Sequence, residues 1–575
     1  MIQINKFKLL PIMAAAFVVG LTSCDLDEYN PSGATADEIW STPEGFVTNV
    51  NAAYSEQRSW YGKEDGIFMS ETGTDLWFNR DKNTYAGQLT QYAGLNSLQG
   101  NPNRAAWNLV WPAINLCNAG INRIEDAGFT DEVQKNRRLG ELKFLRAFYY
   151  WHVVETWGGV MLRTEETQGP LLTASRSPVE AFYSIIIEDL LEAEKFLPAQ
   201  SGWGNEYSRA SNKSAKGLLA RAYLTRAAYA TGGEKEEFLR LAAEKAKEVI
   251  DNKAALEVDL YATYAEMWDP RNNKRNREAL YIVSNSAENP TLNYDLNVGN
   301  RLYQFWQTRY NGLPGLVQDL NYGFEGNRRL MPTLAFLDMF NEENDTRYEV
   351  SFQEAWIANS NYTWTAGDAA TYDKDPSIVG RQIRAGIDTA LYITKKQLTG
   401  ERRKPFVALD RDSVYLPNNS IRNGNLYVNF RKFRDPDREF ANTQSGFKDV
   451  IVMRLAEMYL IAAEAEFGLG RPDLAANYIN VLRTRAAKPD KVAEMQVTSD
   501  MITLDFILDE RARELAGEHL RWFDLKRTGK LVERVRRLNP DITQIQDHHV
   551  LRPIRQEELN ALLNGEEFGQ NPGYN

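Results

Sequence analysis

The chain has 575 residues and a formal net charge of −11, and its composition is 43% hydrophobic and 25% charged. These proportions are typical of a folded globular protein, and the length allows one large unit or two to three domains. Binding to nucleic acid needs clustered Lys and Arg, so the acidic balance argues against such a partner. With two cysteines and four histidines in the chain, we expect no disulfide, no metal site and no bound cofactor.

The N-terminal segment has the features of a lipoprotein signal peptide. Two lysines precede an apolar stretch over residues 9–21, which is too short to span a bilayer as a helix. Small residues then lead to Cys24, and this pattern predicts cleavage of residues 1–23 and lipidation of Cys24. An ordinary secretory signal followed by an incidental cysteine is the alternative. The acidic, turn-rich residues 24–33 are expected to form a lipidated tether.

Apolar residues recur at the spacing of a buried helix in several long stretches. These stretches are residues 103–124, 132–156, 178–197, 212–229, 235–250, 450–467, 472–485 and 503–528. Ala475, Ile479 and Leu482 resemble the second helix of a tetratricopeptide repeat, in which small residues let paired helices approach closely. The sequence therefore predicts a mainly α fold, with a tetratricopeptide-like scaffold of helical pairs over about residues 103–250 and 447–530.

Between about residues 251 and 446 the helical pattern gives way to Asn, Gly, Asp, Thr and aromatic residues. Short runs at residues 279–283 and 426–430 predict strands. Loops of this length are usually functional or disordered, and the tryptophans of the region favour function. We therefore expect an irregular, loop-rich, ligand-binding region that carries short strands. Residues 341–345 offer oxygen ligands for calcium, but a solvated loop is the preferred interpretation.

Three glutamates recur at every fourth position near the C-terminus: Glu510, Glu514 and Glu518. Like charges at this spacing repel each other on a helix unless cations lie between them. Arg454, Arg513 and Arg521 are candidates to pair with the glutamates, which predicts an ion-pair network that fixes helix packing. The alternative is a glycosidase site, which needs two carboxyl groups across a cleft.

Several motifs run along the chain in a fixed order. They include Cys24-Asp25-Leu26-Asp27, Thr156-Trp157-Gly158-Gly159, Asp345-Thr346-Arg347, Arg454-Leu455-Ala456-Glu457, Asp509-Glu510-Arg511-Ala512-Arg513-Glu514 and Asn571-Pro572-Gly573-Tyr574. In this order and spacing they resemble the SusD/RagB family of surface nutrient-binding lipoproteins over essentially the whole chain. Arg555 departs from the family pattern, which usually has a proline there, and this affects a local turn. The resemblance implies a single SusD-like unit over residues 34–575.

The resemblance also implies a function. Such a protein captures an oligosaccharide or polysaccharide and delivers it to a SusC-like TonB-dependent transporter, without chemistry on the ligand. It is held in the outer membrane by its lipid anchor, with its body facing the exterior, and the tetratricopeptide-like face is the expected transporter interface. Three alternatives stay open: a peptide-binding member of the family, a surface glycoside hydrolase, and an architectural scaffold that takes no small ligand.

Sugar recognition suits exposed aromatic rings, which pack on the apolar face of a pyranose, together with amide and charged groups that bond its hydroxyls. Two stretches, residues 75–80 and 303–310, offer this mixture and resemble the ligand loops of the family in position. The candidate ligand-binding residues are Trp77, Asn79, Arg80, Tyr303, Trp306, Gln307, Arg309 and Tyr310. The alternative for Trp77 and Trp306 is a place in the core. No catalytic residue is expected.

Overall fold

A computed structural model describes residues 36–82, 86–98, 101–286, 299–326 and 328–574. The predicted signal peptide, the lipidation site Cys24 and the tether lie outside the described residues. Among the described residues, no helix combines the length and the apolar character needed to cross a bilayer. Helical residues make up 49% of the described residues and strand residues 8%, which confirms the predicted mainly α fold.

The helices are labelled in chain order. They are α1 Ala36–Trp40, α2 Pro43–Ser55, α3 Glu64–Ser70, α4 Gly87–Gln91, α5 Asn101–Arg123, α6 Glu132–Trp157, α7 Val179–Phe196, α8 Asn212–Ala227, α9 Gly232–Asp251, α10 Tyr264–Met267, α11 Leu334–Asp338, α12 Arg347–Ser351, α13 Ala366–Thr371, α14 Arg411–Val414, α15 Leu455–Gly468, α16 Pro472–Ala486, α17 Val492–Met495, α18 Leu504–Leu515, α19 Arg521–Arg527, α20 Leu531–Leu538, α21 Gln556–Asn560 and α22 Gly565–Phe568.

The strands are short. They are β1 Trp77–Asn79, β2 Ala279–Val283, β3 Leu330–Pro332, β4 Phe352–Gln353, β5 Ala355–Ile357, β6 Tyr362–Thr363, β7 Gln382–Ile383, β8 Thr389–Ile393, β9 Val407–Leu409, β10 Asn429–Phe430 and β11 Val450–Arg454. They pair as β1 with β3, β4 with β10, β2 with β11 and β6 with β7, and β8 lies between β5 and β9 and pairs with both. Small sheets of this kind pin loops in place and do not form a layer of their own.

Helix α6 shows how the sequence builds the scaffold. The Asp131 carboxylate caps its N-terminus by accepting a hydrogen bond of 2.8 Å from the backbone N–H of Val133. Gly158 ends the helix with a φ of 72°, a conformation that glycine adopts without strain. From Gly140 to Trp157 every residue of α6 is buried, because α5 and α7 pack against the helix and residues of β2 and α19 contact its other faces.

The long helices pack side by side in the order α5, α6, α7, α8, α9, α15 and α16. Neighbours in this array are also neighbours in sequence, except that the irregular region separates α9 from α15. Gly468 of α15 lies against Leu239 of α9, where an added Cβ would come within 2.8 Å of the leucine side chain. The irregular region is therefore inserted between two helices that pack closely together, as in a tetratricopeptide-like array.

Two of the predicted helices are wrong in part. Residues 450–454, predicted as the start of a helix, form β11, which pairs antiparallel with β2. The run Val450, Ile451 and Val452 is β-branched, which favours the extended conformation. The helix predicted over residues 503–528 is divided into α18 and α19, because Gly517 and His519 adopt φ values of 80° and 64° that a helix does not allow.

A buried ion-pair network joins α18 to β11 and to the irregular region. Arg454 donates to Glu514 at 2.7 Å and to Glu518 at 2.8 Å, and Arg347 donates to Glu510 at 2.8 Å. Four of these five side chains are completely buried, and that of Glu518 is 5% exposed. The prediction that arginines neutralise the three glutamates is therefore confirmed.

The partners in the network differ in detail from those expected. Arg513 does pair with Glu510, at 2.7 Å, but Arg521 pairs with Asp75 at 2.6 Å. Burial alone raises the pKa of Glu514, but the charges of three neighbouring arginines outweigh burial and lower that pKa below its usual value. A carboxyl group held ionised in this way does not supply the protonated acid of a glycosidase.

Replacing Arg454 with methionine is expected to lower the free energy of unfolding by about 3–5 kcal/mol, because it leaves buried carboxylates without their counter-charge. Denaturant unfolding of the purified protein measures the change. The matched control is Arg240→Met on α9, whose side chain is 45% exposed and pairs at the surface. We expect that variant to stay within about 0.5 kcal/mol of the parent. Equal effects of the two changes would contradict a structural role for the network.

Candidate functional site

The two predicted ligand stretches lie next to each other in the structure. β1 pairs antiparallel with β3, and the backbone N–H of Arg80 continues this pairing by donating to the Arg329 carbonyl at 2.9 Å. The N–H groups of Arg329 and Leu330 in turn donate to the Phe305 carbonyl at 2.8 and 2.9 Å. The short segment before β3 therefore joins residues 75–80 to residues 303–310.

Trp77 and Trp306 pack against each other in the core, with ring centroids 5.6 Å apart. Both side chains are completely buried, and Phe430 contacts both rings, with centroids at 5.0 and 5.4 Å. The Trp77 indole N–H donates to Glu71 at 3.1 Å. The expectation that these rings present exposed faces to a sugar is therefore wrong in this structure, since packing against other aromatic rings removes them from solvent.

Four further candidate residues are buried and bonded within the protein. The Asn79 amide donates to Thr90 at 2.8 Å, and the Tyr303 hydroxyl accepts from Arg438 at 2.8 Å. The Gln307 amide donates to the Tyr303 carbonyl at 2.6 Å, and the Tyr310 hydroxyl donates to the Gly323 carbonyl at 2.6 Å.. These side chains fix the course of the loops and face the interior, so the ligand contacts expected of them are not available.

Arg80 and Arg309 are the candidate residues that reach the surface, Arg80 half-buried and Arg309 exposed. Arg80 Nε donates to the Arg328 carbonyl at 3.2 Å, and the Arg80 stem lies against Gly424, where an added Cβ would be 3.1 Å from Arg80 Cγ. The backbone N–H of Arg309 donates to the Asn425 carbonyl at 2.8 Å. Three loops thus converge here, and we call Arg80, Arg309, Arg328 and Glu325 the arginine cluster.

Arg328 and Glu325 form the inner part of the arginine cluster. Their side chains are 16% and 13% exposed, and Arg328 Nη1 lies 3.9 Å from Glu325 Oε2, beyond hydrogen-bond distance. Both of these atoms are buried, and neither has a hydrogen-bond partner among the described residues. The other carboxylate oxygen of Glu325 accepts from the backbone N–H of Asn311 at 3.1 Å. The pair is held in place but is not satisfied by the part of the chain that the structure describes.

The electrostatics of the arginine cluster reflect this arrangement. Burial lowers the pKa of Arg328, and the positive charges of Arg80 and Arg309 lower it further, against the opposing effects of Tyr427 and Glu325. Burial raises the pKa of Glu325, although the charge of Arg328 opposes the rise. Within the part of the chain that the structure describes, neither Arg80 nor Arg309 forms an ion pair with a carboxylate.

The arginine cluster has the chemistry of a binding site for a hydroxyl group. A hydroxyl can donate to Glu325 Oε2 and accept from Arg328 Nη1, which satisfies both buried atoms at once. Leaving such atoms unpaired costs about 1–3 kcal/mol each, so a water molecule or a ligand hydroxyl that bonds both atoms is favoured here. The sequence offered no local signal for Glu325 or Arg328, because their environment is made by loops that are distant in sequence.

Comparison with known proteins agrees with this fold. The model of the SusD family matches residues 296–574, and a second model, described as starch-binding and associating with the outer membrane, matches residues 46–224. The chain belongs to the SusD/RagB family. Glycan binding and association with the outer membrane are supported at the level of the family, whose members are binding proteins.

Individual relatives are distant but cover most of the chain. SusD-like protein P2 of Formosa agariphila is 25% identical over 590 aligned residues, which cover 99% of this chain and 100% of the relative. The starch-binding protein SusD of Bacteroides thetaiotaomicron is 24% identical over 507 residues, covering 84% of this chain and 81% of the relative. A solved structure described as a laminarin binding SusD-like protein matches with a TM-score of 0.67 at 21% identity, covering 93% of this chain and 100% of that chain. At this level of identity, the similarity is evidence for the fold alone.

Proposed function

We propose that this protein captures a glycan at the arginine cluster and hands it to a SusC-like TonB-dependent transporter, without chemistry of its own. The observation that carries the proposal is the unsatisfied pair of Glu325 Oε2 and Arg328 Nη1. Sugars present hydroxyl groups that both donate and accept, which is what this pair requires. The family supports a glycan as the class of ligand.

The surroundings of the arginine cluster favour binding over catalysis. Its loops rest on the buried Trp77 and Trp306 rings, so little ordering is needed when a ligand arrives. Among the described residues, the cluster contains a single carboxylate, whereas a glycoside hydrolase ordinarily needs two across the scissile bond. Glu325 therefore acts as a hydrogen-bond acceptor for a hydroxyl in this proposal.

The proposal places the protein at the cell exterior, held in the outer membrane through lipid on Cys24. A lasting complex with a transporter requires a large interface, beyond about 2,000 Å². We propose the array of α5 to α9, α15 and α16 for this role, because these helices pack side by side without a break. Co-purification of the tagged protein with an outer-membrane barrel in mild detergent is the expected result. Recovery of the protein alone under these conditions would count against the delivery step.

Glu325→Gln and Arg328→Gln are expected to weaken glycan binding by roughly 10- to 100-fold, because each removes one charged partner of a sugar hydroxyl. Affinity electrophoresis against a panel of polysaccharides identifies a bound glycan, and titration calorimetry with that glycan measures the change. The control is Arg384→Gln, an arginine that is 61% exposed and pairs at the surface with Asp388. It should bind like the parent protein.

Two outcomes would contradict this assignment. If no glycan in the panel retards the parent protein, capture of glycans is unsupported. If a glycan binds but both cluster variants retain the parent affinity, the glycan site lies elsewhere in the protein. Thermal unfolding of the variants, compared with the parent, separates a lost contact from a lost fold.

A further inference from the structure

The arginine cluster carries more positive charge than its own carboxylate neutralises. We propose that its ligand is an anionic glycan, in which sugar hydroxyls are accompanied by carboxylate or sulfate groups. This inference rests on the proposed function and adds the class of sugar. The charges of Arg80, Arg309 and Glu325 all act on Arg328, so the cluster holds three guanidinium groups and one carboxylate, in a chain whose overall net charge is −11.

The arginines of the cluster differ from other arginines of the protein in their partners. Arg209 is held by Glu141 at 2.9 Å and by Glu206 at 2.9 Å, and Arg146 is held by Asp189 at 2.7 Å. In the cluster, the Arg80 side chain bonds only a backbone carbonyl, Arg309 has no side-chain partner among the described residues, and Arg328 approaches Glu325 no closer than 3.9 Å.

Bringing such groups together has a physical cost. Positive charges in proximity repel each other, and burial strengthens the repulsion because the surroundings screen it less than water does. The effect is visible at Arg328, whose pKa is lowered first by burial and then by its two arginine neighbours. A bound anion removes the repulsion, and the planar guanidinium fork matches the paired oxygens of carboxylate and sulfate.

The carboxylate of Glu325 limits which ligands fit the arginine cluster. A small inorganic anion that filled the whole cluster would meet the negative charge of Glu325, whose second oxygen requires a donor. A sugar bearing an acidic group meets both demands, because a hydroxyl donates to Glu325 while the acidic group lies against Arg80 and Arg309. A neutral sugar satisfies Glu325 and Arg328 but leaves the other two charges unmatched.

The test uses matched polysaccharides that differ only in charge. Polygalacturonate is compared with its carboxyl-reduced form, and dextran sulfate is compared with dextran, each by calorimetry on the purified full chain. We expect the anionic member of at least one pair to bind at least about tenfold more tightly than its neutral counterpart, with an affinity that falls as salt is added. The first pair reports on carboxylate and the second on sulfate.

Arg309→Gln is the informative variant, because its side chain is exposed and has no hydrogen-bond partner among the described residues. It should lower affinity for the anionic member about tenfold, by loss of one charge-assisted contact, and so lower the ratio of anionic to neutral affinity. Arg384→Gln, which also removes one exposed guanidinium from the irregular region, should change neither.

The outcomes separate this inference from the proposed function. Equal binding of the neutral and anionic members, sensitive to Glu325→Gln, overturns the anionic class and leaves glycan capture at the cluster intact. Binding of a polyanion that Arg309→Gln and Arg384→Gln weaken equally shows unspecific attraction, and it overturns the inference. Absence of binding by both pairs and by a wider glycan panel overturns the inference and the proposed function together.

Discussion

The neutralisation of buried charge around α18 is the constraint on which the rest of the structure depends. Glu510, Glu514 and Glu518 are brought into the interior, where an uncompensated charge is very costly, so their cationic partners must be brought in as well. Those partners come from segments that are far apart in sequence. Arg454 lies on β11, and Arg347 begins α12 within the irregular region. The network therefore specifies where the irregular region meets the helices.

Lys432 connects the same ion-pair network to the region of the ligand loops. Its ammonium group donates to Glu518 at 2.5 Å and to the carbonyls of Glu514 and Ala516 at 3.0 and 3.1 Å. Lys432 follows β10 by two residues, and β10 contributes Phe430 to the aromatic core beneath the arginine cluster. The ion-pair network thus holds β10 through Lys432, and the aromatic residues of β10 pack beneath the loops of the arginine cluster. A site supported in this way is held in shape before a ligand binds.

The sequence predicts the helical part of this fold well, because the buried face of a helix places apolar residues at a regular spacing in the sequence. The failures occur where local pattern and tertiary context disagree. The apolar run at Val450–Arg454 fits a strand as well as a helix, and its pairing with β2 decides the outcome. The break at Gly517 and His519 depends on two backbone conformations that composition does not reveal.

The candidate site was partly predictable for a related reason. The stretches at residues 75–80 and 303–310 do lie together, but aromatic composition gives no measure of exposure, and Trp77 and Trp306 are core residues. Arg80 and Arg309 reach the surface, and their role in ligand binding stays a prediction. Glu325 and Arg328 could not be found from the sequence, since their significance is the distance between two atoms in a loop that is positioned by other loops.

The central claim is that a glycan binds where these loops converge. Hydrogen–deuterium exchange, followed by peptide mass spectrometry with and without a glycan shown to bind, tests this claim most directly. Binding at the arginine cluster predicts slower exchange in residues 305–311, 323–326 and 421–427, with little change around the partly exposed Trp111 and Trp268, which line two separate cavities. Slower exchange around either of those tryptophans, with residues 305–311, 323–326 and 421–427 unchanged, would contradict binding at the arginine cluster.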